Sequence, residues 1–341
     1  LQTGAATASG EIFIKSGESN SGSAGNIALS AGAGGQAGGS VSISGGSSTL
    51  GDGGGVTLKS GSSSGAKNSG SVLIAAGSAV VNTGGSVQLI TGSSQSLSSG
   101  ALGVNTGDAV ESGGINIHSG SSTGAVSGGV QVTSGSSIGA SGTIAVQSGN
   151  SLNKGGDILI NGGNTVSNTG GSINVMSGHG STSGEINIVT GTGQENTGSL
   201  SLKTGSTPTG NVGSVNIMTG SSLEGLNGRV LIKAGSGQIK AGNVELLAGD
   251  SGSEQAGGYV HVQTGNGISQ SGDMHFSTAS GASESGVMSL ASGSATTASG
   301  SIAIKSGDAG SGIAGEINLV SGDSQINGGS MTVQAGSSSQ G

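Results

Sequence analysis

The sequence has no cysteine and no tryptophan, and its 341 residues include one proline, one tyrosine and two phenylalanines. The lack of cysteine excludes a disulfide scaffold, and the lack of aromatic rings excludes a core packed around large side chains. No apolar run is long enough for a transmembrane helix. Collagen is excluded as well, because proline is nearly absent and glycine does not recur at every third residue.

Charged residues are also scarce, at 8% of the chain, and acidic residues outnumber basic ones by 17 to 9. The lysines and the arginine are scattered singly, which argues against nucleic acid as a partner and against insertion into or binding to an anionic membrane. Residues 1–10 have neither the basic start nor the apolar stretch of a signal peptide. We therefore expect the chain to be a mature segment of a longer protein.

Glycine is the abundant residue, with 77 copies. A chain rich in glycine and serine is typically a flexible linker. Here, however, valine, isoleucine and leucine are plentiful and regularly placed, and the mean hydropathy is slightly positive at +0.04. This composition favours an ordered repeat over a solvated linker.

One eight-residue motif recurs from end to end, Gly-x-U-x-U-x-small-Gly, where U is aliphatic in nearly every copy. Examples are GEIFIKSG (10–17), GSVLIAAG (70–77), GSINVMSG (171–178) and GRVLIKAG (228–235). We number its residues as positions 1 to 8, from the opening glycine at position 1 to the closing glycine at position 8. Each such stretch is called a segment, and the residues between two segments are called a loop.

The motif occurs 23 times, with a mean period of about 14.5 residues and spacings of 13 to 16. The opening glycine is present in all 23 copies and the closing glycine in 22, with Ala279 as the exception. Position 3, the first aliphatic residue, falls at 12, 27, 41, 56, 72, 87, 102, 115, 130, 144, 158, 173, 186, 200, 215, 230, 244, 260, 274, 288, 302, 317 and 331.

Within each segment the alternation of aliphatic and other residues has a period of two, which predicts a half-buried strand. The two glycines are expected to supply positive φ angles or close backbone approach at the corners. Position 10, the second loop residue, is Ser, Gly, Ala or Thr in every copy. We expect it to point inward against the aliphatic strand, where only a small side chain fits.

Repeats of this size cannot bury an apolar face alone and must stack on their neighbours. The predicted fold is all-β, a β-solenoid of about 23 short coils with parallel in-register strands. One repeat per turn is preferred, and two repeats per turn is the alternative. Residues 1–341 are expected to form a single continuous array without separate domains.

Two aliphatic residues per coil contribute less than the ordering of 14 or 15 residues costs, so burial against another copy is expected to help. Apolar residues at outward positions are the expected lateral interface. They are Phe13, Leu73, Ile90, Leu159, Met176, Val189, Met218, Leu231, Leu247 and Val320.

No catalytic, cofactor-binding or metal-binding residues are predicted, and no cofactor. Glu245, His261 and His275 occupy position 4 of three consecutive copies and would stack in one column on a solenoid. A metal-binding or pH-sensitive patch is one interpretation, but a chance polar ladder is favoured. The sequence lacks the nine-residue period of calcium-binding β-rolls, the aromatic residues of sugar-binding clefts and the threonine ladders of ice-binding solenoids.

Stretches such as GGSVSI (38–43), GGSVQL (84–89) and GEINLVSG (315–322) resemble the Gly/Ser-rich short-coil solenoid repeats of large secreted surface and filament proteins of algae, protists and microbes. The resemblance implies an extracellular or cell-surface location and a structural role. The expected function is that of a subunit of an extracellular filament, fibre or surface layer, assembled by coil stacking and lateral packing. The expected partners are further copies of the chain and a surface or carbohydrate matrix. An adhesin stalk and an ice-binding module are the alternatives, and an enzyme is not expected.

Overall fold

The computed structural model describes residues 2–4, 9–124 and 126–337. Within these ranges it contains no α-helix and no β-strand, so the prediction of a β-solenoid is wrong for this chain. No described side chain is buried, and the chain has no apolar core in these ranges. The regularity of the sequence is nevertheless present in the backbone, as a repeated alternation of extended segments and bent loops.

The accessible surface of the chain shows how little is buried. It amounts to 34178 Å². A compact protein of this mass exposes about 12,000 Å², two compact halves would expose about 15,000 Å², and a fully unfolded chain exposes about 46,000 Å². The segments therefore do not cover one another as the coils of a solenoid would.

Bends occur only in the loops. Each of the 22 loops between consecutive segments contains one, for example at 35–36, 138–139 and 238–239, and no described segment is bent. The repeat pattern predicts this division, because period two indicates an extended backbone and the length variation falls in the loops.

We call the base of each loop, where two consecutive segments meet, its neck. A hydrogen bond closes many of the necks. The opening glycine N–H donates to the carbonyl oxygen of the closing glycine of the preceding copy, as in Gly39 to Gly32 and Gly85 to Gly77. Twelve such bonds lie within the described residues, at 2.8–3.2 Å, and they span six to nine residues. In each loop with this bond the first and last residues are held close together. A longer or shorter loop therefore leaves the positions of the two flanking segments nearly unchanged.

Small residues face each other across the neck. A β-carbon placed on Gly85 would lie 3.2 Å from Cβ of Ala76, the position-7 residue of the preceding copy, and one on Gly39 would lie 3.1 Å from Cβ of Ala31. Position 7 is also the least exposed part of the chain, because the described residues that are half-buried all lie there or, for Thr3, at the equivalent place before Gly4. They are Thr3 (which stands before Gly4 as position 7 stands before a closing glycine), Ser16, Ser60, Thr91, Ser148, Gly162, Ala234, Thr264 and Ser306.

The opening and closing glycines differ in their surroundings. A β-carbon on a described closing glycine would meet no atom within 4 Å, whereas one on most opening glycines would meet the preceding copy. The expectation of positive φ angles at the corners is wrong, since Gly312 (φ 124°), a loop residue, is the only described residue with a left-handed backbone. The opening glycine at position 1 instead allows the backbone to lie close to the preceding copy.

The chain divides into two units, Leu1–Ile173 and Asn174–Gly341. The boundary lies inside the segment of copy 12. Both units are built in the same way, from extended segments and closed loops, and each of them contains several of the hydrogen-bonded necks.

The absence of a solenoid follows from the hydrogen bonds. Parallel coils require the amides and carbonyls of positions 2 to 7 to pair with a neighbouring coil. Among the described residues, the backbone bonds instead join glycines across a neck, and the segment interiors have no backbone partner. Two aliphatic side chains per copy are too small an apolar area to offset the entropy of ordering a whole coil.

Replacing an opening glycine should open its neck, while replacing a closing glycine should not. We expect Gly85→Ala to force apart Ala76 and residue 85, whose Cβ atoms would lie tighter than ordinary contact. Loss of about 1 kcal/mol of neck stability corresponds to about fivefold faster hydrogen exchange of the residue-85 amide, which donates to the Gly77 carbonyl oxygen. Hydrogen exchange followed by mass spectrometry measures this rate, with Gly77→Ala as the matched control. Equal exchange in the two variants would contradict the steric role of position 1.

Candidate interaction surface

The odd and even positions of a segment lie on opposite sides of an extended backbone. Side-chain contacts two residues apart show this directly. Asn318 Nδ2 at position 4 donates to Glu316 Oε1 at position 2 over 3.0 Å. A ring nitrogen of His261 at position 4 lies 3.0 Å from Gln263 Oε1 at position 6. We call positions 2, 4 and 6 the outer side and positions 1, 3, 5 and 7 the aliphatic side.

Exposure of the aliphatic residues is graded. Position 3 is 45–61% exposed in the described copies, and position 5 is 58–77% exposed except for Val333. Aliphatic residues at the loop tips, such as Val80, Ile138 and Val166, are essentially fully exposed. The aliphatic side is therefore partly covered, yet a large part of its apolar surface remains in water.

A shallow apolar groove lies between two consecutive copies. It is lined by Phe276 at position 5 of copy 19 and by Met288, Ser289 and Leu290 of copy 20. Because opening glycines and position-7 residues face each other at the necks, the aliphatic sides of consecutive segments face each other there too. The groove remains open to solvent, since Phe276 and Leu290 are each more than 70% exposed.

The loops are held by hydroxyl groups at position 10. Ser222 Oγ accepts the amide of Gly225 at 2.8 Å, and Ser19 Oγ accepts that of Gly22 at 2.9 Å. This geometry, in which a side chain caps the backbone of its own turn, is favoured by serine and threonine. In the part of the chain that the structure describes, an acceptor three residues before the donor is found, for example, at Ser19, Ser48, Ser94, Thr165, Thr207 and Ser222.

Shorter loops use two other solutions at the same position. In one, the hydroxyl accepts the amide two residues on, as at Ser137, Ser151 and Ser324. In the other, position 10 is glycine, and a β-carbon there would overlap the carbonyl oxygen three residues later, as at Gly193 and Gly267. The expectation that position 10 points inward is therefore wrong. These residues are exposed, and in most copies they supply either a hydroxyl that accepts an amide of the turn or no side chain at all. Ala79, Ala109, Ala295 and Ala309 do neither.

The histidines are not assembled into a site. His261 contacts Gln263 on its own segment, and the described residues contain no group of three His, Asp or Glu side chains arranged to hold a metal ion. Since no helix occurs in the described ranges, none of them supplies a helix that could cross a membrane. The chemistry that the structure displays is confined to apolar, charged and hydrogen-bonding surfaces.

Charges on the outer side have a polarity that sequence reasoning missed. Position 6 carries five lysines and no acidic residue, namely Lys15, Lys59, Lys203, Lys233 and Lys305. Position 2 carries five acidic residues, Glu11, Asp157, Glu185, Asp273 and Glu316, and one basic residue, Arg229. Sorting the charged residues by position, instead of counting them along the chain, reveals the pattern.

Two of these charges are each paired with a residue of the adjacent loop. Lys15 Nζ lies 2.6 Å from Glu18 Oε1, and Lys154 Nζ lies 3.3 Å from Asp157 Oδ2. The other charged residues at positions 2 and 6 have no ion pair among the described residues. All four side chains of the two pairs are at least 72% exposed, so these pairs contribute little to stability.

The apolar residues expected to form a lateral interface occupy positions 4 and 6 and are exposed. Leu231 is the most covered of them and Met176 and Val320 are among the least. They lie on the same side as the charges and occur in both units. The comparisons with known proteins add no assignment, since no family model, curated protein or solved structure matches the chain.

Removing a position-10 hydroxyl should loosen its loop. We expect Ser222→Ala to leave the Gly225 amide without its acceptor, which costs about 1 kcal/mol and makes that loop exchange its amides about five times faster. Hydrogen exchange of the loop 221–227 measures the effect. Ser221→Ala, one residue earlier and without such a bond, is the control. Equal hydrogen-exchange rates of this loop in the two variants would contradict the proposed capping by Ser222.

Proposed function

We propose that the chain is a structural protein that assembles with copies of itself into an extracellular filament or surface layer. The observation that carries the proposal is the aliphatic side, repeated 23 times and still largely exposed at positions 3 and 5. An apolar surface of this extent is unusual in a chain that stays alone in water.

The available area is sufficient for a stable interface. Burying a Val, Leu or Ile side chain removes about 60–120 Å² of apolar surface from water. With roughly 60% of each side chain still exposed, two such residues offer about 100 Å² per copy. A standard interface buries about 800 Å² on each partner. About eight of the 23 copies would therefore provide it.

The backbone supports the same proposal. The amides and carbonyls of positions 2 to 7 have no backbone partner among the described residues. Extended segments with unpaired edges are templates for pairing with another extended chain. Pairing between chains would satisfy these groups and cover the aliphatic side in one step.

A second copy of the same chain is the partner that fits best. The surface repeats with a period of about 14.5 residues, and only a partner with the same period stays in register over many copies. A partner without repeats would match a few segments at most. The resemblance of the repeats to those of secreted surface and filament proteins supports an extracellular location.

Electron microscopy over a range of protein concentrations tests the assembly. We expect filaments or sheets above a threshold concentration, because burial of the aliphatic side grows with each added copy. Only monodisperse single chains at every concentration would contradict the proposal.

Polar substitutions on the aliphatic side should raise that threshold. We expect the triple variant Val41→Thr, Val56→Thr and Val72→Thr to raise it by about tenfold or more, since each lost methyl group weakens apolar burial by about 1 kcal/mol. Threonine keeps the β-branched shape of valine, so the extended backbone is preserved.

The matched control changes three loop-tip valines in the same way, Val80→Thr, Val110→Thr and Val166→Thr. These side chains are fully exposed and lie outside the segments, so the threshold is expected to stay within about twofold of the unmodified chain. Sedimentation of the assembled fraction measures both. Equal effects of the two triples would show that assembly does not use the aliphatic side.

A further inference from the structure

Asparagine is followed directly by glycine at four places in the chain, and the structure gives these four pairs different surroundings. Of the 21 asparagines, the four are Asn161, Asn227, Asn266 and Asn327. Each of them is exposed and lies within two residues of an opening or closing glycine. A change of covalent structure at such a pair therefore takes place directly beside a neck.

The chemistry that an asparagine–glycine pair permits is spontaneous deamidation, which consumes only water. The backbone nitrogen of the glycine attacks Cγ of the asparagine, a C–N bond forms, and the Cγ–Nδ2 bond breaks. Ammonia leaves and takes the proton of the attacking amide with it. Water then opens the resulting cyclic imide at either carbonyl, which gives aspartate or isoaspartate. Glycine favours the attack because it has no β-carbon to obstruct the asparagine side chain.

Two of the pairs have a carbonyl group in the place of the missing β-carbon. A β-carbon on Gly162 would overlap the carbonyl oxygen of Gly171 at the neck, and one on Gly267 would overlap that of Gln270 in the turn. Gly162 is also half-buried. Because the space beside each glycine is already occupied, the attack is hindered at Asn161 and Asn266.

The side chain of Asn227 is held by a hydrogen bond. Its Oδ1 accepts the backbone amide of Ser222 at 2.7 Å. The attack requires Cγ of Asn227 to rotate toward the nitrogen of Gly228, and this rotation breaks the bond. The loss of one such hydrogen bond corresponds to about a fivefold decrease in rate.

Asn327 has neither obstacle. A β-carbon on Gly328 would have one neighbour within 4 Å, the carbonyl oxygen of Gly322 at 3.9 Å. Within the described ranges, the Asn327 side chain and the Gly328 amide have no hydrogen bond. We infer that Asn327 is the first site of spontaneous deamidation in the folded chain.

The product lies next to a closed neck. The N–H of Gly329, two residues after Asn327, donates to the carbonyl oxygen of Gly322 at 2.9 Å. Aspartate places a new carboxylate beside this bond, in a loop that already contains Asp323. Isoaspartate adds one carbon to the backbone there as well.

Peptide mapping of the incubated full-length chain by mass spectrometry tests the inference, because each conversion changes the mass of its peptide. The chain is kept at mildly alkaline pH and in unassembled form, so the result does not depend on the proposed self-assembly. We expect Asn327 to convert about five times faster than Asn227, and faster than Asn161 and Asn266. Earlier conversion of any other asparagine would overturn the inference.

The same measurement in guanidinium chloride separates structure from local sequence. Unfolding removes the carbonyl neighbours and the hydrogen bond, so we expect the four rates to become similar. A lead of Asn327 that stays undiminished in the denaturant would also overturn the inference, since the flanking residues would then be its cause.

A substitution of the glycine gives a second test. We expect Gly328→Ala to slow the conversion of Asn327 to below that of Asn227, because the new β-carbon obstructs the attack. Alanine fits here, since Gly328 has no left-handed backbone and open surroundings. Gly310→Ala is the matched control, a loop glycine in open space that follows no asparagine. An equal rate at Asn327 in the two variants would contradict direct attack by the Gly328 nitrogen.

Discussion

The hydrogen bond from the opening glycine of one segment to the closing glycine of the preceding segment, present at twelve necks among the described residues, is the constraint on which the rest of the structure depends. It joins the end of one segment to the start of the next over 2.8–3.2 Å, so that a loop of variable length closes on a fixed point. At the tightest necks, such as those of Gly39, Gly85 and Gly242, a β-carbon at position 1 would lie 3.1–3.2 Å from that of the preceding position 7, so one of the two would have to move. The same contact turns the aliphatic sides of neighbouring segments toward each other. Glycine, which composition alone associates with flexibility, acts here as the residue that permits contact.

The division into segments and loops could be predicted from the sequence, and the fold could not. The alternation of aliphatic and other residues predicts which side of an extended segment is apolar, and the spacing of the glycines predicts where the chain turns. Neither states where the partner of an extended segment lies. The solenoid prediction placed that partner in the next coil of the same chain, whereas the described amides of positions 2 to 7 have no backbone partner. A repeat with two aliphatic residues and, in nearly every copy, no aromatic ring has too little apolar surface to fix the position of its pairing partner by burial alone.

Position 10 shows why a conserved size within a repeat is an ambiguous signal. Serine, threonine, glycine and alanine are all small, which suggests a buried position against a packed face. Ser222 and Gly193 satisfy the loop instead by two different physical routes, a hydroxyl that accepts an amide and a missing side chain that admits a carbonyl. The distinction was present in the residue types, since a purely steric pocket has no reason to prefer hydroxyl groups over alanine.

The candidate interaction surface is built from the few aliphatic and charged side chains of the segments. A segment of eight residues has three outer positions, and the chain places lysine at one end and acidic residues at the other. Exposed charges of this kind add little stability to a single chain, because water screens them. The aliphatic residues recur in all 23 copies, whereas the acidic residues at position 2 and the lysines at position 6 occur in only nine of them, at irregular intervals. Under the proposed self-assembly, burial of the aliphatic side supplies the driving force, and the sparse exposed charges add little to it.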